Sequence, residues 1–390
     1  MTGTCPREQC TGCAACANVC PQKCICMVPD VEGFLFPKVD PDSCVDCGLC
    51  QDVCPIIHVG GIEHLVPRKV YACWNNDEAT RFDSSSGGAF SALAKHVLDQ
   101  GGVVFGAAFD KDMTVKHIPA TTGEELGRLR GSKYVQSDIG FAYLEVGTLL
   151  QQGRRVLFSG TPCQIAGLHA ALGKKHENLI TCDLLCHGVP SPGLFVKYAR
   201  YLERCFRAKL INIDFRSKCV GWEVPSTIAF FNNGKQHVLR DRYDSFMHGF
   251  VHNLTMRRSC YRCPYAKPER QGDITLGDFW GIGEFAPFRH DTRNGISVVL
   301  VNSKEGCRLL EESAPQLCLE ERKMEEVRSM RALSCPWPEP KNRDGFFSNY
   351  QQVGYDKLAK TYLVDKGLKR LIKLVVPPAW IFFLRKRMKN

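Results

Sequence analysis

The 390 residues include 22 cysteines, are 44% hydrophobic and carry a formal net charge of +10, which suits two or three cored domains and excludes a short secreted disulfide scaffold. The charge does not describe a nucleic-acid surface, because residues 366–390 hold eight basic and no acidic side chains and leave only +2 for the rest. The opening MTGTCPREQC has no apolar leader, so the sequence predicts a protein of the reducing cytoplasm whose cysteines are thiolate ligands rather than cystines.

Residues 1–66 contain one internal repeat. Its first copy is Cys10, Cys13, Cys16, Cys20 and Pro21, and its second is Cys44, Cys47, Cys50, Cys54 and Pro55. Each copy puts three thiolates on one tight loop, the soft, deprotonated ligands that a four-iron cubane needs. In two-cluster modules of this type the fourth cysteine of each run binds the other cluster. The expected sets are therefore Cys10, Cys13, Cys16 with Cys54, and Cys44, Cys47, Cys50 with Cys20. Zinc would use cysteine pairs across a spacer, not two triplets each closed by Cys-Pro. Cys24 and Cys26 fit neither set and are expected as small unligated side chains.

After a short link at 60–67, apolar, β-branched runs predict strands at Val70–Trp74, Val103–Phe109, Val156–Phe158, Leu179–Leu185, Ile211–Phe215 and Ile296–Val301. Helical patterns at Ala89–Leu98, Phe141–Leu150, Gln164–Leu172 and Leu194–Phe206 lie between several of them. The Asn232-Asn233-Gly234 turn between Thr227–Phe231 and Gln236–Leu239 predicts a hairpin, because Asn-Gly favours positive φ. The expected architecture is an α+β ferredoxin-like domain (1–66), an α/β core with a mixed sheet (67–345) and a C-terminal extension (346–390). Gly281, Gly283 and Ala286 after a strand at Ile274–Trp280 match a dinucleotide fingerprint in form only. Pro287 falls early in the helix that should follow, and no acidic residue ends the next strand.

A ferredoxin module moves single electrons and makes no bonds, so the core must give them a destination. In RFDSSSGGAFSALA (81–94), Ser84, Ser85 and Ser86 can cap a helix beginning near Gly88, and Gly87 and Gly88 let a ligand approach the backbone. Free N–H groups and the helix dipole there favour phosphate, although an ordinary capped helix has the same sequence. Arg130, Ser132 and Lys133 are a second possible anion contact, or simple solvent-facing residues. Cys260 and Cys263 form a Cys-x-x-Cys half-site for iron–sulfur or zinc. Cys163 follows a strand-to-helix turn and Cys186 ends an apolar strand, positions where cofactor ligands gather in α/β sheets.

Taken together, SSSGGAFS, SGTPCQ, LLCHG and CYRCPYA followed by GDITLGD, in that order, resemble the coenzyme F420 hydrogenase/dehydrogenase beta-subunit family, from the N-terminal module to about Tyr355. The resemblance implies an FAD-binding core that holds a further four-iron cluster. It places Ser84–Gly88, Arg130, Ser132, Lys133 and Tyr134 along the FAD, and makes Cys163, Cys186, Cys260 and Cys263 the core-cluster ligands. A zinc site or a redox disulfide among those four are the alternatives. The other ten cysteines (Cys5, Cys24, Cys26, Cys73, Cys182, Cys205, Cys219, Cys307, Cys318 and Cys335) are expected as structural thiols. His187 abuts Cys186 and is a candidate for acid–base help at the flavin, or an outer support of the cluster. The implied activity is electron transfer between clusters and FAD, with hydride-type exchange with a deazaflavin or another small organic substrate. An electron-relay subunit without its own substrate site is the alternative. The expected partners are a redox protein or small ferredoxin and a small-molecule hydride donor or acceptor, with no nucleic acid.

At the end, Leu374–Leu384 is an eleven-residue apolar run flanked by Lys369, Arg370, Lys373, Arg385, Lys386, Arg387 and Lys389. It is too short to span a bilayer and is broken by Pro377 and Pro378. Trp380, Phe382 and Phe383 within basic flanks suit an interfacial anchor at the inner membrane surface, or a tail folded onto the core or a partner subunit.

Overall fold

The computed structural model describes residues 5–58 and 64–364, so the tail run Leu374–Leu384 lies outside the described residues. In the N-terminal module α1 (Ala15–Val19) follows the first cysteine loop, β1 (Ile25–Pro29) and β2 (Leu35–Val39) form a hairpin between the runs, and α2 (Leu49–Asp52) closes the second. The chain then forms β3 (Lys69–Asn75), α3 (Glu78–Asp83), α4 (Ala89–Asp99), β4 (Val103–Phe109), β5 (Val115–Ala120), α5 (Gly123–Leu129) and α6 (Ala142–Gln151). It continues through β6 (Val156–Gly160), α7 (Pro162–Leu172), β7 (Leu179–Leu184), α8 (Pro192–Phe206), β8 (Leu210–Ser217), β9 (Ser226–Phe231) and β10 (Gln236–Leu239). The last elements are α9 (Ser245–Val251), β11 (Ile274–Asp278), β12 (Ser297–Val301), α10 (Lys304–Ser313), β13 (Leu317–Arg322), α11 (Arg343–Gln352) and α12 (Tyr355–Tyr362).

The main sheet has eight strands in the order β13-β3-β12-β11-β7-β6-β4-β5. Its centre, β11-β7-β6-β4, is parallel, and the flanking pairs are antiparallel. The central strands are apolar on both faces because helices cover both. In β4, Val103 and Phe105 join the core beneath α6 and α7, whereas Val104 and Ala108 face the core beneath α4 and α5. A second, three-stranded antiparallel sheet, β10-β9-β8, carries the expected hairpin, with Gln236 opposite Phe230.

Helix α8 buries Leu194, Phe195, Tyr198, Ala199, Tyr201 and Leu202, one stripe at helical spacing, and packs with α11 and α12 over that smaller sheet. Phe346, Phe347, Tyr350 and Tyr355 are buried there, so the boundary expected at 345/346 falls inside α11. After β11, residues 280–286 form turns and no helix follows, as Pro287 leads one to expect. Among the described residues no helix is long and apolar enough to cross a membrane.

The N-terminal module is built into the core. Phe34 from its hairpin is buried in the cluster around α8 and α11. Arg343, itself buried, holds Glu32 through Nη1 at 2.9 Å and Nη2 at 2.6 Å. Gly193 N–H donates to Gly33 O at 3.0 Å, and Asn18 Nδ2 donates to Gly140 O at 2.8 Å.

Candidate functional site

The two cysteine runs fold across one another. One cavity is lined by Cys10, Cys13, Cys16 and Cys54, with Cys5 and Cys50 also on its wall, and another by Cys20, Cys44, Cys47 and Cys50. Cys54 thus lies on the wall of the first run's cavity and Cys20 on that of the second run's. The second cavity lies at the outer end of the module, where Val45 and Leu49 are exposed. Cys24 lines that outer cavity too, 3.4 Å from Cys20. Cys5 reaches Cys10 and Cys54, and its hydrogen bond to each thiolate helps hold them at about 6.

The inner set faces the core. Cys13 packs on α7 at Gly167, where an added Cβ would lie 2.9 Å from Cys13 Cβ and 3.1 Å from its Sγ. Only glycine at 167 admits so close an approach. Cys163 sits in the first turn of the same helix, whose start is fixed by a capping box between Thr161 and Gln164 and by Pro162. Gln164 Nε2 also donates to Ser137 Oγ at 2.9 Å, and Ser137 contacts Nδ1 of buried His117, whose Nε2 meets Ser159 O at 3.0 Å. Burial pulls the His117 pKa down to about 4.

Cys186, Cys260 and Cys263 join Cys163. The segment after β7 pairs with the segment before Cys260 through a Pro190–Met256 bridge, and Arg257 N–H donates to Val189 O at 3.0 Å. The four thiols are close enough for their charges to act on one another. Burial raises all four, Cys163 to about 11 and Cys260 to about 12. A half-buried thiol set of this kind becomes thiolate when a metal charge replaces the protons.

A buried ion pair fixes the Cys263 loop. Arg270 and Asp183, 1% and 0% exposed, meet at 3.2 Å. Arg270 also donates to the carbonyls of Leu184, Tyr265 and Lys267 at 3.1, 3.4 and 3.2 Å. Tyr143 and Tyr265 lie near both the inner set and the core quartet, since the charges of Cys13 and Cys163 act on both rings.

Fully buried Arg257 occupies the same boundary. Its Nε donates to Cys10 O at 2.7 Å, and Nη1 donates to Leu35 O at 2.9 Å and Gln136 Oε1 at 3.1 Å. Its Nη2 is buried and finds no acceptor among the described residues. An uncompensated buried cation is costly, so this position fits anionic groups on either side.

The Ser-Gly loop forms a second site. Gly88, at φ 87°, is the N-cap of α4, and no side chain caps it. The serines expected to cap that helix are committed elsewhere. Ser84 Oγ donates to Thr80 O at 2.7 Å, Ser86 Oγ donates to Ile296 O at 2.9 Å, and Ser85 Oγ accepts from Ser132 N–H at 2.7 Å. The first-turn N–H groups of α4 are therefore not taken by these hydroxyls.

Basic side chains gather around the loop. Arg130 Nε donates to Ser91 Oγ at 3.1 Å, and Lys133 Nζ donates to Arg128 O and Arg130 O at 2.8 and 2.5 Å. Burial pulls Lys133 down to about 7. Tyr134 stacks near Phe250 with centroids 4.8 Å apart.

Sequence reasoning missed two further cations here, Arg216 and Lys218 at the end of β8. Arg216 pairs with Asp278 at 2.9 Å, lies 5.0 Å from the Trp280 ring, and has a buried Nε without a partner. Lys218 Nζ donates to the carbonyls of Arg81, Ser86 and Asn294 at 2.5, 2.5 and 2.7 Å. Burial draws it toward about 7, but three acceptors require all three ammonium protons. The available signal was FRSK, a basic group closing an apolar strand. This loop, with helix N–H groups and several cations, fits an anionic cofactor. His187 lies outside the loop but packs on Phe250 with centroids 4.7 Å apart, the ring that also meets Tyr134, and it is stacked 4.4 Å from Trp337, with Nε2 2.7 Å from Asn253 Oδ1. Burial lowers its pKa.

The profile described as coenzyme F420 hydrogenase/dehydrogenase, beta subunit N-term matches residues 70–141, and the corresponding C-terminus profile matches 153–327. A 4Fe-4S dicluster domain profile matches residues 9–56. Among solved structures, a chain of the F420-reducing [NiFe] hydrogenase complex from Methanosarcina barkeri is 17% identical. That alignment covers 76% of this chain and 89% of the other, with a TM-score of 0.46. No curated protein matches the chain.

Proposed function

The chain belongs to the coenzyme F420 hydrogenase/dehydrogenase beta-subunit family and carries a 4Fe-4S dicluster domain. On that premise we propose that it is an iron–sulfur flavoprotein oxidoreductase with three [4Fe-4S] clusters and one FAD. It exchanges a hydride equivalent with a deazaflavin or another small organic substrate, and single electrons with a redox protein or small ferredoxin. When bound, the clusters supply one-electron chemistry and the flavin couples it to two-electron chemistry.

One observation carries the reading. Four half-buried cysteines from three distant segments, Cys163, Cys186 and the Cys260–Cys263 pair, are gathered beside the inner face of the dicluster module. These four would hold the third cluster, with the two crossed sets holding the others. Ser84–Gly88, Arg130, Ser132, Lys133 and Tyr134 would line the FAD, with Arg216 and Lys218 supplying positive charge for its phosphates. Asn253 orients His187 through Nε2, leaving Nδ1 as the atom to take or give a proton.

The test is anaerobic reoxidation of the dithionite-reduced protein. Stoichiometric reoxidation by a deazaflavin or a small organic acceptor supports the proposal. Reoxidation only when a redox partner protein is added would replace it with an electron relay.

A further inference from the structure

Arg257 has no role in the function just proposed, yet it is the one cation at the boundary between the inner thiol set and the core quartet for which the structure offers no carboxylate. None of the ion pairs among the described residues includes it. Its Nε and Nη1 are satisfied by Cys10 O, Leu35 O and Gln136 Oε1. The ring of Phe36, 3.9 Å from Cζ, covers its flat face. Gly12, at φ 69°, makes room for this arrangement, since a Cβ there would lie 2.4 Å from Gln136 Nε2 and 3.1 Å from Arg257 Nη1. The guanidinium is therefore clamped, with Nη2 buried and unspent.

Arg257 Nε lies 2.7 Å from Cys10 O of the inner set, and its own carbonyl accepts from Cys260 N–H of the core quartet at 2.9 Å, so one cation sits beside both sets. Among the described residues no hydrogen bond of Arg257 reaches Cys20, Cys44, Cys47 or Cys50 of the outer set. A guanidinium does not lose its proton in a protein, so this is a fixed charge. One-electron reduction of a cluster adds one negative charge, and a fixed cation favours the reduced state.

We infer that Arg257 is a positioning residue that serves as the shared counter-ion of the inner and core clusters and raises both of their reduction potentials above what a neutral side chain there would give, with no such effect on the outer one. The inference rests on the three-cluster reading proposed above. Electrons would then be drawn inward from the exposed end of the module, toward the flavin loop. The paired effect on two clusters, without effect on the third, is what distinguishes this role from a purely structural one.

The test is a potentiometric titration of the full-length holoprotein followed by electron paramagnetic resonance, with iron counted on the same samples. In Arg257→Met the inner and core clusters should each become at least tenfold harder to reduce, a shift of about 59 mV to more negative potential for one electron. The outer cluster should stay put. Arg257→Lys should restore most of the shift, because it keeps the charge and loses only the fork. If Arg257→Met does not fold, Gln136→Glu provides the reading. It is near-isosteric, sets a carboxylate 3.1 Å from Nη1, and should move the same two potentials in the same direction. Full iron with unmoved inner and core potentials in these variants would overturn the inference, as would an equal shift of all three. An iron count near eight in the unaltered protein would instead sink the three-cluster reading.

Discussion

Replacing Asp183 by Asn should destabilise the protein by about 3–5 kcal/mol, the cost of breaking a buried pair on one side. Asp183 is wholly buried at the end of the central strand β7, and it accepts from Gln271 N at 3.0 Å, Gly272 N at 3.3 Å, the Thr275 hydroxyl and Arg270. The amide can keep some of these contacts but leaves the Arg270 charge in the interior with only carbonyls and a hydroxyl around it. At about 2.1 cal/mol/K of unfolding entropy per residue, a core of about 300 residues loses about 1.6 °C per kcal/mol, so the melting temperature should fall by at least about 5 °C. Because Arg270 also ties down the Tyr265 and Lys267 carbonyls behind Cys263, core iron should be lost before the module's iron. The double variant Asp183→Asn, Arg270→Met should cost less than the sum of the two single changes by about 1–3 kcal/mol. Calorimetry with iron analysis checks both points. An unchanged melting temperature, or strict additivity, would refute the argument that this pair fixes the loop.

His117 makes stability fall on acidification. Its folded pKa of about 4 lies below the ordinary value of 6.5, so the unfolded chain takes up the proton first as pH drops through 6.5. The loss grows by about 1.4 kcal/mol per pH unit until about pH 4 and then levels off. His117→Gln should flatten that part of the stability–pH curve, and a parallel curve would contradict the assignment. Arg216→Gln should weaken FAD retention by about 10- to 150-fold, the worth of a charge-assisted contact of about 1.5–3 kcal/mol, with iron content unchanged. Equilibrium dialysis against FAD reads this directly. Gly167→Ala should cost about 1–3 kcal/mol by overpacking, since its methyl would press on Cys13, and it should slow reduction of the core cluster through the module in stopped-flow measurements.

The central strands were legible because β4, β6, β7 and β12 are apolar on both faces, a pattern that local sequence displays. The edge strands β5 and β13 were not. VKHIPA holds a lysine, a histidine and a proline, and LCLEER ends in charge, both permitted only because one side of an edge strand is unpaired. The two N-terminal cysteine runs were readable from ligand chemistry and spacing, whereas the core quartet was implied only by the family resemblance. Arg257 and Arg270 were not readable, since an arginine's burial depends on contacts such as Arg257 with Cys10, 247 residues away. The serines of the 81–94 stretch were read as helix caps for the same reason. Their partners Ile296 and Ser132 come from distant segments that no local pattern announces.

The central claim is that Cys163, Cys186, Cys260 and Cys263 hold a third cluster beside a bound flavin. Iron, acid-labile sulfide and flavin per chain, measured after anaerobic purification of the wild type and of Cys260→Ser and Cys263→Ser, test it most directly. The account predicts about twelve irons and one FAD in the wild type, and about eight irons in either variant with the module's clusters intact. About eight irons in the wild type, no flavin, or an iron count unmoved by either substitution would contradict it.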